Sequence, residues 1–296
     1  MSKNWLISLI ACASISGTSS PAMAQAVLPY VPELDSEKLE LQGLQLLQEA
    51  VQLIRFQQYD LALPRAELAT QLAPENFDVW FILGSLYLQQ EKVDKGVKIL
   101  EKAENLAPEE PGVLFRLGNA YFQQGNYELA REKLEQGLEI ENNSPDALFD
   151  LGNTYLKLAE FDDAVEAYEQ AFAQEATFWP ALNNVGLVEY EQGDRIGAIA
   201  RWESVIEVDG EQAEPQLALA VALFTQGQKE QGLELGKAAL ELDKRYADIE
   251  FLKENLWGEQ LIEDTREFLN TPQIQEIVSN FEEATPEELA PVPPTP

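Results

Sequence analysis

The chain has 296 residues, 45% of them hydrophobic, enough to bury a sizeable core. Its 52 Asp and Glu against 20 Lys and Arg leave a formal net charge of -32, and a surface of that sign repels nucleic acid and anionic lipid headgroups. There is no His and one cysteine, Cys12, which removes imidazole bases, imidazole metal ligands, Cys/His clusters and internal disulfides.

Residues 1–24, MSKNWLISLIACASISGTSSPAMA, read as an export segment. Lys3 gives a positive start, Trp5 to Ile15 a short apolar stretch, and Ala22-Met23-Ala24 a small-x-small cleavage site. Cleavage after Ala24 is expected, leaving a mature chain without a transmembrane segment. Retention as an anchor and lipidation at Cys12 are the alternatives, the apolar run being short for a bilayer span. Residues 25–42 form a lead-in with Pro29 and Pro32 and the start of an N-terminal helix, which Asp35 or Ser36 caps and which runs over about 36–57.

From residue 43 to 246 the sequence repeats at one fixed step, the interval from Gly84 to Gly118. Small residues fall in register at Ala50, Gly84, Gly118, Gly152, Gly186 and Ala220. Bulky apolar residues stand four before the glycines (Trp80, Leu114, Leu148, Leu182), and tyrosines three after them (Tyr87, Tyr121, Tyr155). A second small series (Ala62, Gly96, Ala130, Ala164, Ala198, Gly232) precedes a large one (Leu100, Leu134, Tyr168, Trp202). Apolar residues at steps of three and four mark helix faces, and small residues are needed where helix axes approach within about 8–10 Å. Each unit is therefore a pair of antiparallel helices that cannot bury its apolar face alone and must stack on its neighbours. Leu53, Glu189 and Leu223 replace the tyrosine, and Gly236 replaces a large residue, so the sixth unit is expected to pack loosely.

Residues 247–281 keep helical spacing through Phe251, Leu252, Leu256, Trp257, Leu261 and Ile262 and read as capping helices for the end of the stack. Residues 282–296, EEATPEELAPVPPTP, read as a disordered acidic, proline-rich tail.

Trp80, Leu83, Gly84, Tyr87, Gly96, Leu100, Ala103 and Pro108 resemble the tetratricopeptide repeat in spacing and mostly in type. The resemblance implies an all-α, right-handed superhelical solenoid of six helix pairs, with the first helix of each pair lining a concave groove. It also implies which residues face that groove: Phe81, Ser85 and Leu88; Phe115, Asn119 and Phe122; Phe149, Asn153 and Leu156; Asn183, Leu187 and Tyr190. A ladder of Phe81, Phe115 and Phe149 beside Asn119 and Asn153 suits an extended peptide or an amphipathic helix, although the same rings can serve packing between units. Chaperone-binding members of the family hold a terminal carboxylate with lysines at positions that carry Phe81, Phe115 and Phe149 here, so that role is not expected.

No phosphate loop, nucleophile elbow or metal-protease motif occurs, and the expectation is a protein that is no enzyme and carries no cofactor. The leading expectation is an exported scaffold for a protein or peptide segment, with no nucleic-acid partner. A carrier of Ca²⁺ or Mn²⁺, built on oxygen ligands, and a self-associating structural protein are the alternatives. The export segment and the string from Asn255 to Thr265 resemble exported repeat proteins of cyanobacteria, which implies a periplasmic or thylakoid-lumen location and a role in assembly.

Overall fold

The computed structural model describes residues 35–283, and all regular structure among them is helical. The export segment, the lead-in up to residue 34 and the tail from residue 284 lie outside the described residues. Six hairpins follow one another: α1 (Ser36–Arg55) and α2 (Tyr59–Leu72), α3 (Phe77–Gln89) and α4 (Val93–Leu106), α5 (Pro111–Gln123) and α6 (Tyr127–Ile140), α7 (Pro145–Lys157) and α8 (Phe161–Gln174), α9 (Trp179–Glu191) and α10 (Arg195–Val208), α11 (Ala213–Thr225) and α12 (Lys229–Leu242). The helix starts follow the step of the sequence repeat, from Phe77 to Ala213 for first helices and from Tyr59 to Lys229 for second helices.

Pro111 and Pro145 open α5 and α7, where an amide hydrogen would have no partner in any case. The turn inside each hairpin passes through one left-handed residue: Gln57, Glu91, Gly125, Ala159, Gly193 or Gly227. Glycine takes that conformation freely, whereas the three side-chain-bearing residues carry a modest strain.

The small and large series meet inside the second to fifth hairpins. A Cβ on Gly84 would sit 2.6 Å from Leu100 Cγ, one on Gly118 2.6 Å from Leu134 Cγ, and one on Gly186 2.6 Å from Trp202 Nε1. Leu100, Leu134 and Trp202 are fully buried. Adjacent hairpins are tied by a repeated bond: Tyr87, Tyr121 and Tyr155 donate to Glu67 (2.8 Å), Glu101 (3.1 Å) and Glu135 (2.8 Å). Glu189 stands where the next tyrosine would, opposite Glu169. Arg201 resolves that clash, reaching Glu169 at 2.8 Å and Glu189 at 3.1 Å.

Beyond the sixth hairpin lie a 3₁₀ turn (Lys244–Ala247), α13 (Ile249–Glu254), α14 (Glu259–Leu269) and α15 (Pro272–Glu283). The turn and α15 pack on α12 and close that end of the core. α15 extends two residues past the expected start of the tail. The sixth hairpin is not loose: Phe268 of α14 fills the space beside Gly236, stacked edge-on to Phe224 at 5.4 Å. α14 itself lies on α9 and α11 rather than at the end of the stack.

Candidate interaction groove

The first helices of the hairpins form one wall, with α3 against α5 and α5 against α7, while the second helices cover their other side. Repeat position fixes which side chains reach the inner face of this wall, and occupation differs along its length.

At α9 and α11 the chain covers its own wall. Leu252, Trp257, Leu261, Ile262 and Phe268 are buried in one cluster with Leu187, Tyr190, Leu217 and Phe224. The Tyr190 hydroxyl donates to Asp264 Oδ2 at 2.6 Å, and Arg195 pairs with the same oxygen at 3.1 Å. Glu191 accepts from the backbone amides of Gln260 (3.0 Å) and Leu261 (2.9 Å), placing a carboxylate on the N-terminus of α14, where the helix dipole favours negative charge. Trp257 donates its indole N–H to Glu214 at 2.9 Å. Burial pushes the Glu214 carboxyl up from its ordinary range, against the opposing bonds from Trp257, Asn183 and Tyr246.

Three expected groove residues are therefore not available to a partner. Tyr190 is 0% exposed and Leu187 1%, both buried under the returning segment, and Asn183 is 1% exposed, held between Asn184 and Glu214. Leu88, 7% exposed, turns onto α4 against Gly96. The phenylalanine ladder is also packing for the most part. The Phe115 ring lies over Gly137, filling the space that a side chain there would take. Phe149 sits 5.6 Å from the Tyr168 ring and 5.3 Å from Phe178, and Phe81 lies against the cluster of Leu88 and Val113. Ser85 keeps a buried hydroxyl with no hydrogen-bond partner.

Asn119, Phe122, Asn153 and Leu156 remain partly exposed on α5 and α7. Asn153 Oδ1 accepts from Tyr168 at 2.7 Å and Asn184 at 3.1 Å, so its amide nitrogen stays on offer. Asn119 accepts from Gln123 at 2.8 Å and donates to Asp150 Oδ2 at 3.4 Å. That last bond joins α5 directly to α7, and because α6 and α8 lie behind them it belongs to the inner face. Asp150 was not among the expected groove residues, although its place in the register, one repeat after Arg116 and one before Asn184, was legible. Burial raises its carboxyl to about 6, with Asp146 adding to the rise, while the Asn119 bond and Arg116 oppose it.

A carboxyl raised in the fold binds its proton more readily there than in the unfolded chain. Stability from this group is greatest at low pH and falls as pH rises from the ordinary aspartate range through about 6. Asp150→Asn removes that loss. The substitution should stabilise the protein at pH 7 by about 2–3 kcal/mol, with the advantage shrinking toward pH 4. Denaturant unfolding at both pH values reads the difference, and an equal or lower midpoint at pH 7 would mean that Asp150 is not desolvated.

Among the described residues no cluster of three or more Asp, Glu, His or Cys is placed to hold a metal ion, and no helix is long and apolar enough to cross a membrane. The described residues form a helical-hairpin solenoid whose inner wall is covered at α9 and α11 by the returning segment. Profiles described as "TPR repeat" and "Tetratricopeptide repeat" match residues 118–158 and 145–177, and a further tetratricopeptide profile matches 47–111 and 186–247. The chain belongs to the tetratricopeptide repeat family.

Among solved structures it is similar to pilF of Pseudomonas aeruginosa (TM-score 0.60, 14% identity, 83% of this chain and 99% of that one). It is also similar to YrrB, described as "a TPR protein with an unusual peptide-binding site" (TM-score 0.53, 18% identity, 64% and 95%), and to MamA (TM-score 0.51, 22% identity, 56% and 96%). At these identities the likeness is one of fold. No curated protein matches.

Proposed function

We propose that the protein is an exported, non-catalytic scaffold that holds a segment of a partner protein on the open inner wall of α5 and α7. One observation carries this reading. The same wall is covered by the chain's own helix at α9 and α11, yet at α5 and α7 it offers Phe122 and Leu156 beside the amides of Asn119 and Asn153, with no described helix laid over them. Half-buried apolar side chains next to the free amide nitrogen of Asn153 are what a peptide-binding wall needs. YrrB is described as having a peptide-binding site, and the shared fold makes a similar use here reasonable.

The residue pattern of 1–24 supports export, to a periplasm or a lumen, and the likeness of the string from Asn255 to Thr265 to exported repeat proteins supports an assembly role. The test is a comparison of cross-linked partners captured in the native host by the parent and by a Phe122→Ser, Leu156→Ser double variant of equal helical content. The captured chain should begin at Gln25. Equal recovery of the same partners by both proteins would end the groove reading, and a chain retaining residues 1–24 would end the cleavage reading.

A further inference from the structure

Phe122, Leu156, Tyr190 and Phe224 occupy one register position, a single repeat step apart on α5, α7, α9 and α11. The last two grip α14: Tyr190 through Asp264, and Phe224 through Phe268. The first two, partly exposed, hold no such helix among the described residues. The chain thus displays at α9 and α11 what the wall accepts, namely an amphipathic helix that buries Leu261, Ile262, Thr265 and Phe268.

The polar half of the match differs between the two stretches. Where α14 docks, Arg195 answers the acidic residue Asp264. Its equivalents at the earlier repeats are Phe161 and Tyr127, which carry no charge. Asp150 stands in the wall instead, with Asp146 beside it and Arg116 as the opposing cation on α5. Asp150 forms no ion pair with a described residue, and its side-chain bond is the long one from Asn119. A desolvated carboxylate without an ion-pair partner is costly until a cation reaches it. The chain's charge of -32 favours the approach of a basic partner over an acidic one.

Resting on the groove reading above, we propose that the open wall of α5 and α7 binds a basic amphipathic helix, with apolar residues on Phe122 and Leu156 and a lysine or arginine paired with Asp150. The covered wall supplies the mode of docking and the bare carboxylate supplies the sign of the charge. The same carboxyl is raised toward neutrality by burial, so binding should weaken as pH falls below about 6 and Asp150 takes up a proton. Asp146 on its own helix, Arg116 on α5 and the Tyr168 hydroxyl on α8 are the other titratable or charged groups that face it.

The test uses a displayed library of random helix-length peptides, panned on the parent, on Asp150→Asn, and on the Phe122→Ser, Leu156→Ser double variant. The parent should enrich peptides with a Lys or Arg one helical turn from an apolar pair, and these should gain helical circular dichroism on binding. Changing that cation to Gln in a selected peptide should cost on the order of tenfold in affinity for the parent and almost nothing for Asp150→Asn. Enrichment of neutral or acidic peptides, or the same cationic peptides with the same Gln penalty on Asp150→Asn, would overturn the pairing while leaving groove binding intact. Peptides that bind without becoming helical would overturn the helix. Enrichment no better than on the double variant would overturn this proposal and the groove reading together.

Discussion

Trp257→Ala should lower the melting temperature of the C-terminal half by about 10 °C or more, and the loss should appear first in α14. Trp257 is 4% exposed and lies in the cluster that joins α14 to α9 and α11. Truncating a buried Trp typically costs about 3–5 kcal/mol, from lost transfer energy and the cavity left behind. The indole also donates to Glu214, a carboxylate already penalised by burial. Without it Glu214 keeps only the weaker bond from Tyr246, at 3.4 Å, and the neighbouring Asn183, and an under-satisfied buried acceptor adds about 1–3 kcal/mol.

Trp257→Phe separates these contributions. It keeps a buried aromatic ring but loses the N–H and part of the indole, so it should cost the Glu214 bond plus a small cavity, less than Trp257→Ala. A solenoid melts by nearest-neighbour units, so the first hairpins should hold their structure while the wall of α9 and α11 opens. Amide exchange resolved by segment reads this directly. Unchanged protection of α14 in Trp257→Ala would show that the returning segment is held by something other than this anchor.

What the sequence made legible follows from what is local. The repeat period exposes the small and large series, but the sequence suggests that the large residues fill the space between hairpins, whereas Gly84 meets Leu100 and Gly118 meets Leu134 inside one hairpin. The tyrosine series is visible on the same ground, while its bonds to Glu67, Glu101 and Glu135 of the preceding unit come from the structure. The burial of Asn183 and Tyr190 is not visible there. Tyr190 meets Asp264 across 74 residues of chain, through a segment whose own register has left the repeat. The spacing of Leu252, Trp257, Leu261 and Ile262 reveals a helix with an apolar face but not which surface that face covers. The packing role of the phenylalanine series was hidden for another reason. Phe115 and Gly137 are complementary in size, yet a repeat alignment ranks positions and does not say that a ring will rotate toward a missing side chain. The replacement of tyrosine by Glu189 likewise makes sense only once Arg201 is seen between two carboxylates.

Gly152→Leu should be strongly destabilising, costing about 3 kcal/mol or more. A Cβ alone at Gly152 would lie 2.5 Å from Tyr168 Cε1 and 2.6 Å from Cδ1. Leu adds three more carbons to that contact. Overpacking of this kind typically costs about 1–3 kcal/mol where neighbours can give. Here they cannot give easily. Tyr168 is fully buried, and its hydroxyl is held by Asn153 at 2.7 Å and by Asn184 at 3.4 Å. Moving the ring breaks a network that links α7, α8 and α9.

The better helix propensity of Leu returns only about 0.8 kcal/mol. Gly112→Leu is the matched control. A Cβ there meets nothing nearer than a Glu110 carboxylate oxygen at 3.7 Å, so the propensity gain should go unopposed and stability should hold or rise slightly. Denaturant midpoints of the two variants should therefore move in opposite directions. Because Asn153 faces the open wall, the damage in Gly152→Leu should also loosen the binding surface. If both variants unfold with the parent, the glycine at 152 is not a point of close helix approach, and the stacking order built on the repeat register fails with it.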